Sequence, residues 1–268
     1  MSKLNVSIIL PIASSKHKNF EELFGNAVSS VSNQKVKVKE LLIVHSTEES
    51  LVKLINNYDY PKDLNVIFVE NKGNTNFQSQ VNLGVNKSNC DFFSILEFDD
   101  EYSSIWFKNV KQYMDYYDDV DIFMPIVADV DNKGVFVGFT NEASFASNIN
   151  NEVGTLNEEM LLNFQNFQSS GAVFNKNKFI NFGGFKTNFK LTFVYELFLR
   201  MVYNGLKTMT IPKIGYKHVN LRENSIFWNY KNSKNPITQD EAKFWIDSAK
   251  EHYKNTKDEE ISFTPQEQ

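Results

Sequence analysis

Residues 6–96 hold four short apolar runs separated by three stretches with helical spacing, and that alternation restricts the chain to few folds. The runs are Val6-Ser7-Ile8-Ile9-Leu10, Leu41-Leu42-Ile43-Val44, Asn65-Val66-Ile67-Phe68-Val69 and Phe92-Phe93-Ser94-Ile95-Leu96. Between them, Phe20, Leu23, Phe24, Ala27, Val28 and Val31 recur as on one helix face, as do Leu51, Leu54, Ile55 and Tyr58, then Phe77, Val81, Gly84 and Val85. Asn19 followed by Glu22 approaches a capping box. Pro11 is expected to stop the first strand. Strands alternating with helices predict an α/β fold with a mainly parallel, Rossmann-like central sheet flanked by helices.

The fourth run ends in Glu97, Asp99, Asp100 and Glu101. A buried strand has no structural use for that cluster. Open α/β sheets bind ligands at the carboxyl ends of their strands, and dense oxygen ligands suit Mg²⁺ or Mn²⁺. The plainer alternative is an acidic turn in solvent.

After this cluster the pattern becomes mixed. Helical spacing covers residues 105–117, 156–167 and 195–204, the last stopped by Gly205. Extended runs are expected at residues 121–124, 171–174 and 208–219, with a hairpin around Asn132-Lys133-Gly134. Phe182-Gly183-Gly184-Phe185 reads as a turn that a ligand approaches closely. Thr238 to Glu241 form a capping box before Ala242, Trp245, Ile246, Ala249 and Tyr253, and residues 255–268 read as a polar, loosely held tail. No Pro/Gly/Ser linker divides the chain. Residues 1–224 read as the main domain, and 225–268 as a C-terminal loop, helix and polar tail packed on or extending from it.

A net charge of −5 without a basic cluster argues against nonspecific nucleic-acid binding. The 24 Phe and 11 Tyr read as core rather than base-stacking platforms. Cys90 is the single cysteine, so no intramolecular disulfide forms. No run is apolar over the length of a membrane span, and the N-terminus enters a strand directly, so a cytoplasmic protein without a transmembrane segment is expected. The sequence leaves the oligomeric state open.

Taken in order, these pieces resemble the family 2 glycosyltransferases of the GT-A fold over about residues 6–224. Val6 to Ala13 looks like that family's first strand. Asn71-Lys72-Gly73 and Asn82-Leu83-Gly84 match its Asn-x-Gly pieces, Glu97-Phe98-Asp99 its DXD motif, and Gly183-Gly184-Phe185 its Gly-Gly-Phe turn. The resemblance implies a metal-dependent, inverting transfer of a sugar from a nucleotide-diphosphate donor to a hydroxyl on a glycan, lipid-linked or protein acceptor. It assigns donor binding to Pro11, Ile12, Ala13, His45, Ser46, Asn71, Lys72, Gly73, Glu97 and Phe98. Mn²⁺ or Mg²⁺ would be held mainly by Asp99, with Glu97 and His218. Gly183, Gly184 and Phe185 would face the acceptor.

The chain departs from the family's pattern at three places. His45 and Ser46 replace a pair of aspartates that help hold the nucleoside. Gln80-Val81-Asn82 replaces Ala-Arg-Asn. Phe193-Val194 stands where the family carries its catalytic Glu-Asp pair. Glu196 is the nearest substitute base, although its spacing also suits an ion pair with Arg200. Asp100 is the second catalytic candidate. Two alternatives follow. One is a GT-A module that binds nucleotide sugar or glycan without transfer. The other, a nucleotidyltransferase, is disfavoured because residues 12–18 lack glycine. Residues 221–236, with Trp228, are the candidate lid.

Overall fold

The computed structural model describes residues 3–146, 152–220 and 236–264. The first four apolar runs form parallel strands. β1 (Leu4–Ile12) lies between β2 (Val38–His45) and β4 (Phe92–Ile95), and β3 (Val66–Glu70) adds outside β2. Side chains of a strand alternate between faces. Ile8, Leu10, Leu41 and Ile43 therefore enter one core, while Ile9, Leu42 and Val44 enter the other. The first core is covered by α1 (Phe20–Ser32), α2 (Glu49–Asn57) and α4 (Trp106–Tyr116). The second is covered by α3 (Phe77–Lys87), α7 (Phe193–Tyr203) and α8 (Gln239–His252).

The remaining elements are β5 (Glu101–Tyr102), β6 (Ile122–Val130), β7 (Phe136–Thr140), α5 (Glu158–Asn163), β8 (Val173–Asn175), α6 (Lys176–Asn181) and β9 (Thr208–Val219). The sheet runs β3-β2-β1-β4-β8-β6-β9-β5, with β7 paired to β6. Beyond β4 the pairing is mixed. β8 is antiparallel to β4 and to β6, and β9 is parallel to β6. Two reversals restore the direction, so the carboxyl ends of β1, β2, β3, β4, β6 and β9 share one edge of the sheet. The site is built on that edge.

Several local expectations need correction. Pro11 does not stop β1, which pairs with β2 through Ile12. The Ile9 carbonyl accepts from Leu96 N–H, and β4 ends at Ile95. Pro11, two residues on, therefore faces past the end of β4, where its missing N–H costs no ladder bond. Asn19 precedes α1 but makes no side-chain cap bond; its backbone N–H donates to His17 Nδ1 instead. The helix expected over 156–167 is shortened to α5, capped by Asn157, whose side chain accepts from Met160 N–H. Phe167 is buried, and Gln168 N–H is taken by Asn141 Oδ1, which draws the chain out of helix. α6 was not anticipated.

The polar tail is docked, not loose, as far as residue 264. Asp258 accepts from Thr187 N–H and Oγ1, and its other oxygen accepts from Asn188 Nδ2. Ile261 and Phe263 pack against the second core. The Thr238 cap forms as expected, with its hydroxyl accepting from Glu241 N–H.

Candidate active site

Four carboxylates within five residues cannot all point the same way, and the turn after β4 sorts them. Asp100 N–H donates to the Glu97 carbonyl at 3.1 Å, closing a turn that sets Glu97 and Asp100 side by side. Phe98, at the corner, reaches Phe20, with ring centroids 5.1 Å apart. Glu101 enters β5 opposite Lys217 and ion-pairs with it.

β9 brings the third member. His218 Nδ1 lies 2.9 Å from Asp100 Oδ2, and Val219 N–H donates to Asp100 Oδ1 at 2.9 Å. One ligand atom each from Glu97, Asp100 and His218 falls within 4.8 Å of the others. Asp100 is fully buried, while the His218 side chain keeps 22% of its surface exposed. Asp129 of β6 is in register with His218; it is buried and accepts from Thr140 Oγ1 at 2.6 Å and Gln168 Nε2 at 3.2 Å. Burial alone lowers the proton affinity of His218, but the charge and hydrogen bond of Asp100, with Glu97 and Asp129 behind them, raise its pKa to about 10. Burial pushes the Asp100 pKa up, against the pull of His218.

Two carboxylates and an imidazole form a donor set that suits Mn²⁺ and related hard-to-borderline ions. Asp99, expected as the main metal ligand, is not among these three residues, whereas Asp100 is, the turn setting residues 97 and 100 side by side.

The expected donor residues lie along the same edge, at the carboxyl ends of β1, β2 and β3. Ile12 and His45 are register partners, Ser46 N–H donates to the Ile12 carbonyl, and Asn71 N–H donates to that of His45. The carboxyl ends of β1, β2 and β3 are thereby stitched together, with Pro11 and Ala13 at their margin. His45 is buried, its Nδ1 2.8 Å from the Ser46 carbonyl. Asn71 Oδ1 accepts from Gly73 N–H at 2.9 Å, and Lys72 stands exposed, paired with Glu70. Gln80, where the family's pattern has alanine, is also buried. Its Oε1 accepts from Ile12 N–H and its Nε2 donates to the Thr75 carbonyl, tying the end of β1 to the approach to α3.

Glu196 is fully buried, paired with Lys186 at 3.0 Å and with Arg200 at 2.8 Å. A carboxylate enclosed by two cations presents no open face to an acceptor hydroxyl. Gly183 has φ +89°, and a Cβ there would lie 2.2 Å from the Thr256 carbonyl. The Thr256 carbonyl of the docked C-terminal segment makes the close approach at Gly183. Phe185 is buried in the second core. The lid candidate falls on residues 221–235, outside the described residues, apart from Pro236.

Asp129 and Ser170 escaped sequence reading. Ser170 Oγ donates to Glu97 Oε1 at 2.7 Å. Asp129 lies inside a strand pattern, and only the β6–β9 register reveals its neighbour.

A mixed sheet with an acidic cluster at the carboxyl ends of its strands is the arrangement of a GT-A-type fold. The family model described as Glycosyl transferase family 2 matches residues 7–185, more than half of the chain. The chain belongs to that family and is a nucleotide-sugar glycosyltransferase. Similar solved structures are those of TarS from S. aureus. Residues 1–349 of TarS in complex with UDP-GlcNAc superpose with a TM-score of 0.62 at 15% identity, covering 94% of this chain and 72% of that one. The complex with UDP gives 0.60 at 14% identity, covering 92% and 69%. A further crystal structure of S. aureus TarS gives 0.59 at 14% identity, covering 93% of this chain and 43% of that one. At such identity the likeness establishes the fold. No curated protein sequence matches. Among the described residues no helix is long and apolar enough to cross a membrane.

Proposed function

We propose that this protein transfers a sugar from a uridine-diphosphate donor to a hydroxyl acceptor with a divalent cation at Glu97, Asp100 and His218, by single displacement with inversion. The observation that carries the reading is the convergence of those three side chains within 4.8 Å at the carboxyl edge of the sheet. Uridine is favoured by the UDP and UDP-GlcNAc bound to the similar TarS structures, and inversion by the family. A bound cation would supply Lewis-acid stabilisation of the leaving diphosphate. The chain's own part is to hold that charge in place. Asp100 is fixed by Val219 N–H and His218, and Glu97 by Ser170, so the acidic cluster is preorganised before any ligand arrives. Ile12, His45 and Asn71 form the adjoining margin for the nucleoside. The acceptor is a hydroxyl of a glycan, a lipid-linked sugar or a protein.

The test is a thermal-shift comparison of UDP, GDP, CDP and dTDP, each with Mn²⁺ and with chelator, on wild type and Asp100→Ala. A ligand that binds only the folded state raises the midpoint. The expected result is Mn²⁺-dependent stabilisation by UDP that Asp100→Ala removes, followed by slow release of sugar from UDP-linked donors. The Phe193-Val194 pair favours a second reading, donor binding without transfer, which predicts the same shift and no release. No shift with any nucleotide refutes both.

A further inference from the structure

We infer that Ser170 is a positioning residue for Glu97, and that the short segment carrying it, residues 168–171, sets the geometry of the acidic cluster. The inference rests on the donor-site reading above. Glu97 is one methylene longer than the aspartate usual at its place in the family's motif, so its carboxylate has an extra torsion to fix. The Ser170 hydroxyl, itself buried, donates to Glu97 Oε1 at 2.7 Å. The Glu97 backbone is held as well, because its N–H donates to the buried Tyr216 hydroxyl at 3.0 Å. The longer side chain is thus pinned at both ends.

The segment has the rigidity this role requires. At one end, fully buried Asn141 accepts from Gln168 N–H at 2.9 Å and donates to the carbonyls of Pro125 and Gln168. At the other, Gly171 N–H donates to the Ile95 carbonyl at 2.9 Å, and the Gly171 carbonyl accepts from Trp106 Nε1 at 2.9 Å. Gly171 has φ +77°, and a Cβ there would lie 2.6 Å from the Tyr216 ring. Only glycine allows the segment to close over the tyrosine that holds Glu97. Gln168 Nε2 donates to Asp129 Oδ1 at 3.2 Å, so one clamped segment contacts two of the three acids around His218. Asn141 and Trp106 act through the segment, whose ends they hold.

Partners behind a metal ligand commonly control its affinity by about 10- to 100-fold. The experiment is Mn²⁺ titration followed by electron paramagnetic resonance, alone and with UDP, on wild type, S170A, S170T, E97A and S170A/E97A, with melting temperatures alongside. S170A is expected to weaken Mn²⁺ binding about tenfold with little change in melting temperature. S170T keeps the hydroxyl and is expected to retain wild-type binding. S170A/E97A is expected to bind no more weakly than E97A, since Ser170 acts through Glu97. Wild-type affinity in S170A, loss in S170T equal to that in S170A, or additive losses in the double variant would each overturn the inference. Absence of Mn²⁺ binding by wild type, with and without UDP, removes the metal reading itself and this inference with it, an outcome distinct from the other three.

Discussion

Two charged clusters lie inside this protein, and their charge balance separates them. At α7 one carboxylate, Glu196, meets two cations, Lys186 and Arg200, and all three side chains are at most 1% exposed. The spare donors are also used. Arg200 reaches the Phe182 and Gly184 carbonyls, and Lys186 Nζ donates to the His252 carbonyl. At the sheet edge the ratio is reversed: Glu97, Asp100 and Asp129 surround His218, which remains partly open to solvent. A saturated cluster holds elements together, here α7, the Gly183-Gly184 turn and α8. A cluster short of positive charge is poised to take a cation from outside. Burial and hydrogen bonding alone do not make the distinction, because both clusters have them.

The largest effect should come from breaking the saturated cluster. Glu196→Ala leaves two buried cations without their carboxylate, which typically costs about 3–5 kcal/mol. Denaturant unfolding should report that loss, while Mn²⁺-dependent nucleotide binding persists in whatever fraction stays folded. A variant of wild-type stability that had lost only turnover would invert the comparison and restore Glu196 as a base.

Asp100→Asn tests the other side. Asparagine keeps the shape and an acceptor oxygen for Val219 N–H, so the protein should still fold, with some stability lost beside His218. The substitution should lower turnover roughly 100-fold or more, as expected when a preorganised electrostatic partner of the leaving group is lost. Steady-state rates at saturating donor, set beside the melting temperature, check both halves. Unfolding without a specific loss of Mn²⁺ binding would make Asp100 structural and erase the contrast.

Gly183→Ala comes third. Non-glycine residues in sparsely populated backbone regions cost about 1–3 kcal/mol, and the added Cβ would also collide with the Thr256 carbonyl. The docked segment should lift first, so limited proteolysis near residues 255–264 should accelerate more than global unfolding does. Unchanged cleavage would show that the segment does not depend on this turn.

The contrast was partly legible in sequence, for physical reasons. The parallel half was plain because β1, β2 and β4 are buried on both faces and read as continuous apolar runs. The acidic edge was plain because carboxylates ending such a run have no packing role. Spacing also offered Glu196 and Arg200 as an i,i+4 pair, but local pattern alone could not set this against catalysis. Lys186, ten residues away, decides it, and only the fold brings it there. Likewise, a list of acids at residues 97–101 cannot say which two converge, whereas the turn selects Glu97 and Asp100 over Asp99. Asp129 and Ser170 depend on strand register and on a clamped crossing segment, neither of which leaves a local trace. The tail misled because its anchors are polar. Asp258 and Glu259 look solvated in sequence, yet Asp258 accepts from Thr187 and Asn188, and Glu259 from Asn255.

A third carboxylate sharpens the comparison at the smallest scale. Glu48 is partly exposed and, among the described residues, bonded by serine donors. Ser14 Oγ reaches one oxygen at 2.7 Å, while Ser15 Oγ at 2.7 Å and Ser50 Oγ at 2.8 Å reach the other. The bonds from Ser14 and Ser15 pull its pKa down to about 2, and they clip the loop after β1 to the start of α2. A carboxylate whose folded pKa lies below its unfolded value, about 4.3, stabilises the fold above the unfolded pKa. That contribution fades as pH falls through the folded one. The advantage of wild type over Glu48→Gln should therefore be fully present at neutral pH and shrink between about pH 4.5 and 2. Solvent screening limits it to about 1 kcal/mol or less. Melting temperatures of the two proteins across that range measure the difference directly, since every other acid contributes equally to both. A gap that stays constant or widens in acid would mean that the serines bind the neutral side chain as well as the charged one. Hydrogen bonds without a countercharge would then not suffice to hold a carboxylate ionised at the edge of this site.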